Sequence, residues 1–305
     1  MSVNKTLLAA LLVGAFGMVN AATIEGKSSK PNLVNPGSSN TIPFGSGKPG
    51  LSINGSNSIN LEGGPIKYIR QKYSNTAING SNVNANVNGN SNPKYLELKD
   101  VNPVIGLFTN PTLGQIWYEN RAHGTEVYSV RQIANPNLPA APKFGGLVMA
   151  KVTGLPADTA VYFGEWAPRA GNPSTGSSTD LNMASSDRTV WYVGENPTGN
   201  TKGLAAATYD VVGVNKHTPG QNDFYTGAVT ATFGTGSNGT MAGGISRGND
   251  TLNFNGVTID NGKGTFTGAQ GIDGRFYGSG AAAMAGIATR GTGPGDDIAF
   301  GGKKR

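Results

Sequence analysis

Two histidines carry the most specific chemistry in this sequence of 305 residues, because a neutral imidazole ligates iron well and titrates near neutral pH. His123 lies between the runs QIWYENR and EVYSVRQI, whose β-branched and aromatic residues predict two antiparallel strands joined by a tight turn at residues 122–125. His217 lies in the polar stretch NKHTPGQND at residues 215–223. The pattern therefore predicts that both imidazoles lie in loops.

The hairpin around His123 also carries the other groups that a haem b site needs. Haem binding takes an axial donor for the iron, apolar walls for the macrocycle and cations near the propionates. The candidate walls and propionate contacts are, respectively, Trp117, Tyr118 and Tyr128, and Arg121 and Arg131. His123 is then the predicted axial ligand, and His217 a second metal ligand if the two loops converge. The alternatives are surface polarity for the histidines, a solvated turn around His217, and core packing for Trp117 and Tyr118.

Other chemistries find little support in the sequence. It contains no serine-hydrolase elbow, phosphate loop, dinucleotide fingerprint or zincin helix, and in GSGKPG at residues 45–50 a proline follows the lysine where a phosphate loop needs Ser or Thr. The absence of cysteine excludes disulfides and thiolate chemistry. The net charge of +6 is spread along the chain, without a nucleic-acid-binding motif. Neither an enzyme nor a nucleic-acid-binding protein is expected.

The first 21 residues have the pattern of a secretory signal peptide. Lys5 precedes an apolar run at residues 7–19, and Val19, Asn20 and Ala21 resemble a signal peptidase site, so that the mature chain is expected to begin at Ala22. No later segment approaches the ~20 apolar residues of a spanning helix. We therefore expect an exported protein without a transmembrane segment.

A proline-rich stretch, NPNLPAAP at residues 135–142, is the best candidate for a domain boundary. Residues 22–143 are then a β-rich N-terminal domain, here called the handle. Residues 22–50 are expected to be extended or loosely ordered. Residues 51–92 show apolar alternation, which includes Leu61, Ile66 and Tyr68, beside two Asn-Gly turn signals at residues 54–58 and 79–83. The alternative for this part is a disordered Asn/Gly-rich linker.

Residues 144–305 predict a C-terminal antiparallel barrel of eight strands, and the fold class as a whole is all-β. Short apolar or alternating runs, beginning with those at residues 147–152, 161–166 and 189–194, are separated by Gly, Asn, Pro and Ser turns. Eight strands enclose an interior that side chains can fill. The alternative is an outer-membrane barrel, but most runs are shorter than the nine to eleven residues that such strands take.

The last 33 residues, 273–305, carry the pattern with the closest resemblance to a known family. Gly274, Phe276, Tyr277 and Gly278 precede a run of small residues at 281–286, and residues 300–303 read FGGK. This order resembles the C-terminal β-barrel shared by transferrin-binding protein B, factor H-binding protein and the soluble hemophilins. Ser279 stands where that family usually has proline.

The resemblance implies a function and several partners. It implies a hemophilin-type hemophore that captures haem in its handle and passes it to a TonB-dependent outer-membrane haem receptor, with a host haemoprotein as a further partner. It also implies export through the Slam outer-membrane translocon, so that the protein is expected to be secreted by, or associated with the surface of, a Gram-negative bacterium. Ala22 stands where lipoprotein relatives have the acylated cysteine that tethers them, which favours release of the chain. A monomer is expected. The competing hypothesis is a host-interaction factor that binds a host protein through exposed loops, without a small ligand.

Overall fold

The computed structural model describes residues 22–41, 44–78, 94–135, 144–173, 178–291 and 293–305, which form two large β-sheets and one small sheet. The predicted signal peptide, the second Asn-Gly turn and most of the proline-rich stretch lie outside the described residues. In the described part of the chain, no helix is both long and apolar enough to cross a membrane.

A seven-stranded antiparallel sheet forms the centre of the molecule. In spatial order its strands are β1 (Ile24–Ser28), β10 (Thr189–Glu195), β9 (Val161–Ala167), β8 (Gly146–Val152), β7 (Thr125–Gln132), β6 (Thr112–Arg121) and β5 (Lys94–Glu97). Strands β6 and β7 are the predicted hairpin, and a 3-10 turn, Ala122–Gly124, is its tip.

The second sheet closes into the predicted antiparallel barrel. In spatial order its strands are β12 (Tyr225–Thr232), β11 (Ala207–Val214), β19 (Ile298–Lys304), β18 (Ala283–Ala288), β17 (Ile272–Tyr277), β16 (Thr265–Gly268), β15 (Val257–Asp260), β13 (Asn238–Arg247) and β14 (Asp250–Asn253). Pairing of β12 with β13 closes eight of these strands into a ring, and β14 adds to β13 outside it. The predicted all-β class and eight-stranded barrel are confirmed.

Glycines in the closing motif let aromatic rings cover the backbone, as the sequence predicts. A Cβ on Gly286 would lie 2.6 Å from the ring of Phe300, inside the barrel core. On the outer face, a Cβ on Gly301 would lie 2.5 Å from the ring of Phe163, which belongs to the central sheet. One face of the central sheet thus packs directly on β18 and β19, and a side chain at Gly301 would push the two apart.

The opposite face of the central sheet is covered by a three-stranded sheet and short helices. The strands are β2 (Val34–Ser38), β3 (Pro49–Ile53) and β4 (Ile59–Asn60); the helices are a π turn (Glu62–Ile66), α1 (Lys67–Lys72), α2 (Leu98–Val101) and α3 (Pro103–Gly106). The first Asn-Gly signal is confirmed, since Asn54 and Gly55 have positive φ and join the paired strands β3 and β4.

Three features of the handle differ from the prediction. The alternation at residues 61–68 does not form a strand: Pro65 lies in the first turn of a helical segment, and Ile66 and Ile69, three residues apart, bury one face. The opening residues 22–50 are not loosely ordered, because β1 pairs with β10 over its whole length. Strands β8, β9 and β10, assigned from the sequence to the barrel, pair with the handle strands in the central sheet, so the sheets divide at residues 195–207 and not near 143.

Candidate functional site

The tip of the β6–β7 hairpin presents His123 beside the C-terminal end of the barrel. His123 has a left-handed backbone (φ 58°), which histidine tolerates better than β-branched residues do, and its side chain is 33% exposed. Its Nδ1 lies 3.8 Å from Oδ1 of Asp210. Arg305 donates to the same oxygen at 2.7 Å, and this hydrogen bond lowers the pKa of Asp210. Lys303 lies beside Gly124, so the imidazole is accessible and has cations around it.

The aromatic residues predicted as haem walls lie in the core instead. Trp117 faces the barrel and is 1% exposed, among side chains such as Val127 and Phe163. Tyr118 and Tyr128 are directly paired across β6 and β7 and stack on the other face, with ring centroids 4.7 Å apart. Because successive side chains of a strand point to opposite faces, Trp117 and Tyr118 cannot line one pocket. Their alternative role, core packing, is the one observed.

The two tyrosine hydroxyls are already used in a polar cluster. Tyr118 and Tyr128 both donate to the carboxylate of Glu126, at 2.8 and 2.7 Å. Arg70 of α1 donates to the Tyr128 hydroxyl at 2.7 Å and to Glu126 at 3.2 Å. Burial, together with the hydrogen bond to Glu126, raises the pKa of Tyr128. These groups join the helix to the sheet.

Arg131 lies at the opposite end of the hairpin from His123. Its side chain is buried, and it donates to Oε1 of Gln115 at 2.9 Å; burial lowers the pKa of the guanidinium. Arg131 lines a polar cavity of about 330 Å³ together with Arg169. The strand length separates Arg131 from His123, since each of the eight residues of β7 adds about 3.3 Å. One ligand at the hairpin tip therefore does not reach both.

Arg121 and His217 belong to a buried ionic cluster near the hairpin tip. Arg121 pairs with Glu119, donates to the carbonyl of Gln221 at 3.0 Å, and lies over the ring of Phe224. The ring of His217 is fully buried between two carboxylates: Nδ1 lies 2.6 Å from Asp223 and Nε2 lies 3.1 Å from Glu119.

This geometry removes His217 as a metal ligand. Burial alone would lower the pKa of His217, but its hydrogen bonds to Asp223 and Glu119 outweigh burial and raise the pKa to about 9. At neutral pH both ring nitrogens therefore carry protons, and neither has a lone pair for iron. The prediction of a second metal ligand at His217 is corrected on this ground. Among the described residues, no group of three or more His, Cys, Asp or Glu could hold a metal ion.

A second buried ion pair connects the same barrel loop to the central sheet. Arg188, which directly precedes β10, donates through Nε to Glu165 of β9 at 2.7 Å, and both side chains are fully buried. The carboxylate of Glu165 also accepts the backbone N–H groups of Lys216 at 2.9 Å and His217 at 2.6 Å. Arg188 further donates to the carbonyl of Asp297 at 3.0 Å. Residues 215–223 are thus locked to the sheet by Glu119 and Glu165 together.

An exposed apolar loop, residues 103–108 with the short helix α3 at its start, lies at the other end of the handle and was not predicted from the sequence. Val104, Leu107 and Phe108 are 69%, 84% and 87% exposed, and no other large hydrophobic residue of the described ranges is exposed to this degree. Isolated exposed apolar side chains are ordinary, but three on one loop mark a candidate contact surface. The signal in the sequence is the run VIGLF between Pro103 and Pro111, which is too short for a core helix.

No known family model matches the sequence. The structure is similar to that of the haemoglobin receptor HpuA from Kingella denitrificans in its apo form, with a TM-score of 0.44, 13% identity and coverage of 94% of this chain and 88% of that one. HpuA in complex with human haemoglobin gives a TM-score of 0.43 over the same shares, also at 13% identity. A transferrin-binding protein B variant from Haemophilus parasuis gives 0.30 at 12% identity, covering 64% of this chain and 54% of that one. Similarity at this level assigns no family to the chain.

Proposed function

We propose that this protein is an exported binding protein for iron acquisition, which docks on a host protein through the apolar loop of residues 103–108. The observation that carries the proposal is the exposure of Val104, Leu107 and Phe108. Covering exposed leucine and phenylalanine side chains with a partner lowers the free energy of the complex, and a few residues commonly supply most of the binding energy of an interface. Binding, and not catalysis, is the role that such a surface serves.

Helix α2, which packs on the handle core, holds the loop in a defined conformation, and this favours binding. Leu98 and Val101 of α2 point inward and pack on the handle core. The side chains of Glu97 and Asp100 form a reciprocal capping box at the start of α2, and Lys72 of α1 lies 2.9 Å from Asp100. A preordered loop loses less conformational entropy on association than a flexible one does.

Replacement of both Leu107 and Phe108 by Ser is expected to weaken binding of the host protein at least about tenfold, since hot-spot truncations cost about 2 kcal/mol or more. Both side chains are exposed, so the thermal stability of the variant should not change. Biolayer interferometry with human haemoglobin and transferrin measures the effect. These two probes are chosen because the similar structures are those of a haemoglobin receptor and a transferrin-binding protein.

Lys202→Ser is the control, because Lys202 is exposed on a barrel loop away from the handle and should leave binding unchanged. Equal affinity of the double variant and the unmodified protein would exclude this loop as the docking surface. Absence of binding to haemoglobin, transferrin and immobilised serum proteins would exclude the proposed function itself.

A second candidate function, haem capture, is favoured by the surroundings of His123. The hairpin tip supplies an accessible imidazole and, in Lys303 and Arg305, two cations suited to propionates. The third requirement, apolar walls, is not met there, because Trp117 and the two tyrosines are core residues. The described residues therefore fit haem b in part: His123 would hold the iron, and a docked partner would have to cover the macrocycle.

Hemin added to the purified protein is expected to give a saturable, sharpened Soret band that collapses in His123→Ala. His217→Gln serves as the comparison, because the buried His217 cannot reach hemin and its replacement should leave the spectrum intact. A spectrum no different from that of free hemin would remove the haem candidate while leaving docking on a host protein open.

We also propose that the protein is exported from the cell and delivers iron or haem to a receptor. A Sec signal peptide at residues 1–21, passage through a Slam-type translocon, and transfer of iron or haem to a TonB-dependent receptor would place the protein outside the cell or on its surface. Support comes from the N-terminal sequence pattern and from the closing motif of the barrel. Fractionation of a Gram-negative host that expresses the chain with and without the translocon tests the localisation.

A further inference from the structure

An apolar cavity of about 240 Å³ lies in the handle, between the helices and the central sheet. Its walls include core side chains from both layers, among them Leu61 beside the π turn, Leu113 of β6 and Leu147 of β8. Tyr68 of α1 is the one residue among those that line it with a polar side-chain atom. A cavity of this composition does not hold water well, because water needs two to four polar partners.

The size of the cavity indicates the class of ligand. An engineered apolar cavity of about 150 Å³ binds benzene, whereas sites for drug-sized ligands have about 300–1,000 Å³. A volume of about 240 Å³ therefore suits a narrow apolar group larger than benzene. A planar macrocycle such as haem exceeds it.

Tyr68 lines the cavity, and the ammonium of Lys67, which is not itself a lining residue, lies near the Tyr68 ring. The Tyr68 ring packs edge-on against Phe44, with centroids 6.2 Å apart, and the Nζ of Lys67 lies 5.7 Å from the centroid of Tyr68. Lys67 is exposed, and within the described ranges its ammonium forms no ion pair and the Tyr68 hydroxyl no hydrogen bond. The other cations of the same helix do form ion pairs, since Arg70 and Lys72 both contact carboxylates.

We infer that this cavity binds a medium-chain fatty acid, with the alkyl chain among the leucines and the carboxylate at Lys67 and Tyr68. Lys67 supplies the charge that a carboxylate requires, and the phenol supplies a hydrogen-bond donor beside it. The alkyl chain replaces empty apolar space and gains the contacts that the walls lack. This site does not involve His123, and it adjoins the docking loop, because Leu98 and Val101 of α2 line the cavity.

The experiment is an isothermal titration of the full-length mature protein with dodecanoate and, separately, with dodecanol. We expect dodecanoate to bind with a stoichiometry of about one, and Lys67→Glu to weaken it about tenfold or more through loss of the charge-assisted contact. Dodecanol should bind more weakly, and Lys67→Glu should not change its affinity. Lys202→Glu makes the same charge change on the barrel and should have no effect.

Leu98→Trp tests the cavity itself. Leu98 lines the cavity from the half-exposed helix α2, so a larger side chain can enter the space without disturbing the sheet. We expect this variant to keep the unmodified thermal stability and to lose dodecanoate binding. The inference is overturned if dodecanoate gives no saturable heat, if Lys67→Glu binds as well as Lys202→Glu, or if Leu98→Trp binds unchanged.

Discussion

Arg188→Ala is expected to lower the free energy of unfolding by about 3–5 kcal/mol, because it leaves the carboxylate of Glu165 buried without its cation. Both side chains are fully buried, and Arg188 also donates to the carbonyls of Pro294 and Asp297. The variant thus loses one ion pair, and the buried carbonyl of Asp297 and the partly buried carbonyl of Pro294 each lose one donor. Urea denaturation followed by tryptophan fluorescence measures the loss.

The ion-pair explanation has its own test in the Arg188→Ala background. Adding Glu165→Gln removes the unpaired charge and keeps one carbonyl oxygen, which can accept only one of the two backbone N–H groups, that of Lys216 or that of His217, because these donate to different oxygens of Glu165. Removal of a buried, unpaired charge should outweigh the loss of one neutral hydrogen bond. We therefore expect the double variant to be more stable than Arg188→Ala alone. Lys263→Ala, at an exposed pair with Asp260, should change stability by no more than about 0.5 kcal/mol. A double variant less stable than Arg188→Ala would show that packing, and not the charge, dominates.

The barrel could be predicted from the sequence because its signals are local. Phe276 and Phe300 lie beside small residues within single strands, and Gly286, which the ring of Phe300 covers, belongs to the same motif. The hairpin of β6 and β7 could be predicted equally well, because its strands are adjacent in the chain and its turn is short. Strand pairing between neighbours in sequence needs no information about distant contacts.

The membership of β8, β9 and β10 could not be predicted in this way. These strands are apolar on both faces, because the central sheet is covered by the barrel on one side and by the handle on the other. A continuous apolar run indicates burial on two faces but does not say which sheet it joins. The pairing of β1 with β10 joins residues more than 160 positions apart, and no local sequence pattern predicts it.

The candidate site was predicted incorrectly for the same physical reason: local patterns do not show which distant residues a side chain packs against. Trp117 and Tyr118 look like two walls of one pocket in the sequence, but the twofold period of a strand sends them to opposite cores. In the sequence His217 looks like a solvated loop residue, because two of the carboxylates that bind it come from other parts of the chain. Glu119 contacts its ring, and Glu165 accepts a hydrogen bond from its backbone N–H. Only His123 keeps the accessible position that the turn predicts.

Stability is expected to fall as the pH rises from about 6.5 through about 9, because His217 loses the proton that its two carboxylates stabilise. The pKa of His217 is raised in the folded protein, so its contribution is complete below the unfolded-state pKa of about 6.5 and disappears above the folded-state value. A difference of this size between the two pKa values corresponds to about 3 kcal/mol. Urea midpoints measured between pH 6 and 9.5 report the loss while remaining below the titration of the buried tyrosines.

His217→Gln provides the reference curve for this pH dependence. Glutamine cannot be protonated, so the variant should be less stable than the unmodified protein at pH 6, and the two curves should approach each other at pH 9.5. His123→Ala, which removes the exposed imidazole, should retain the full slope. Parallel curves for the unmodified protein and His217→Gln would mean that the cluster of Glu119, Asp223 and His217 does not take up its proton on folding. The loop of residues 215–223 would then be held to the sheet by the backbone N–H groups that donate to Glu165 and Glu119, which do not titrate in this pH range.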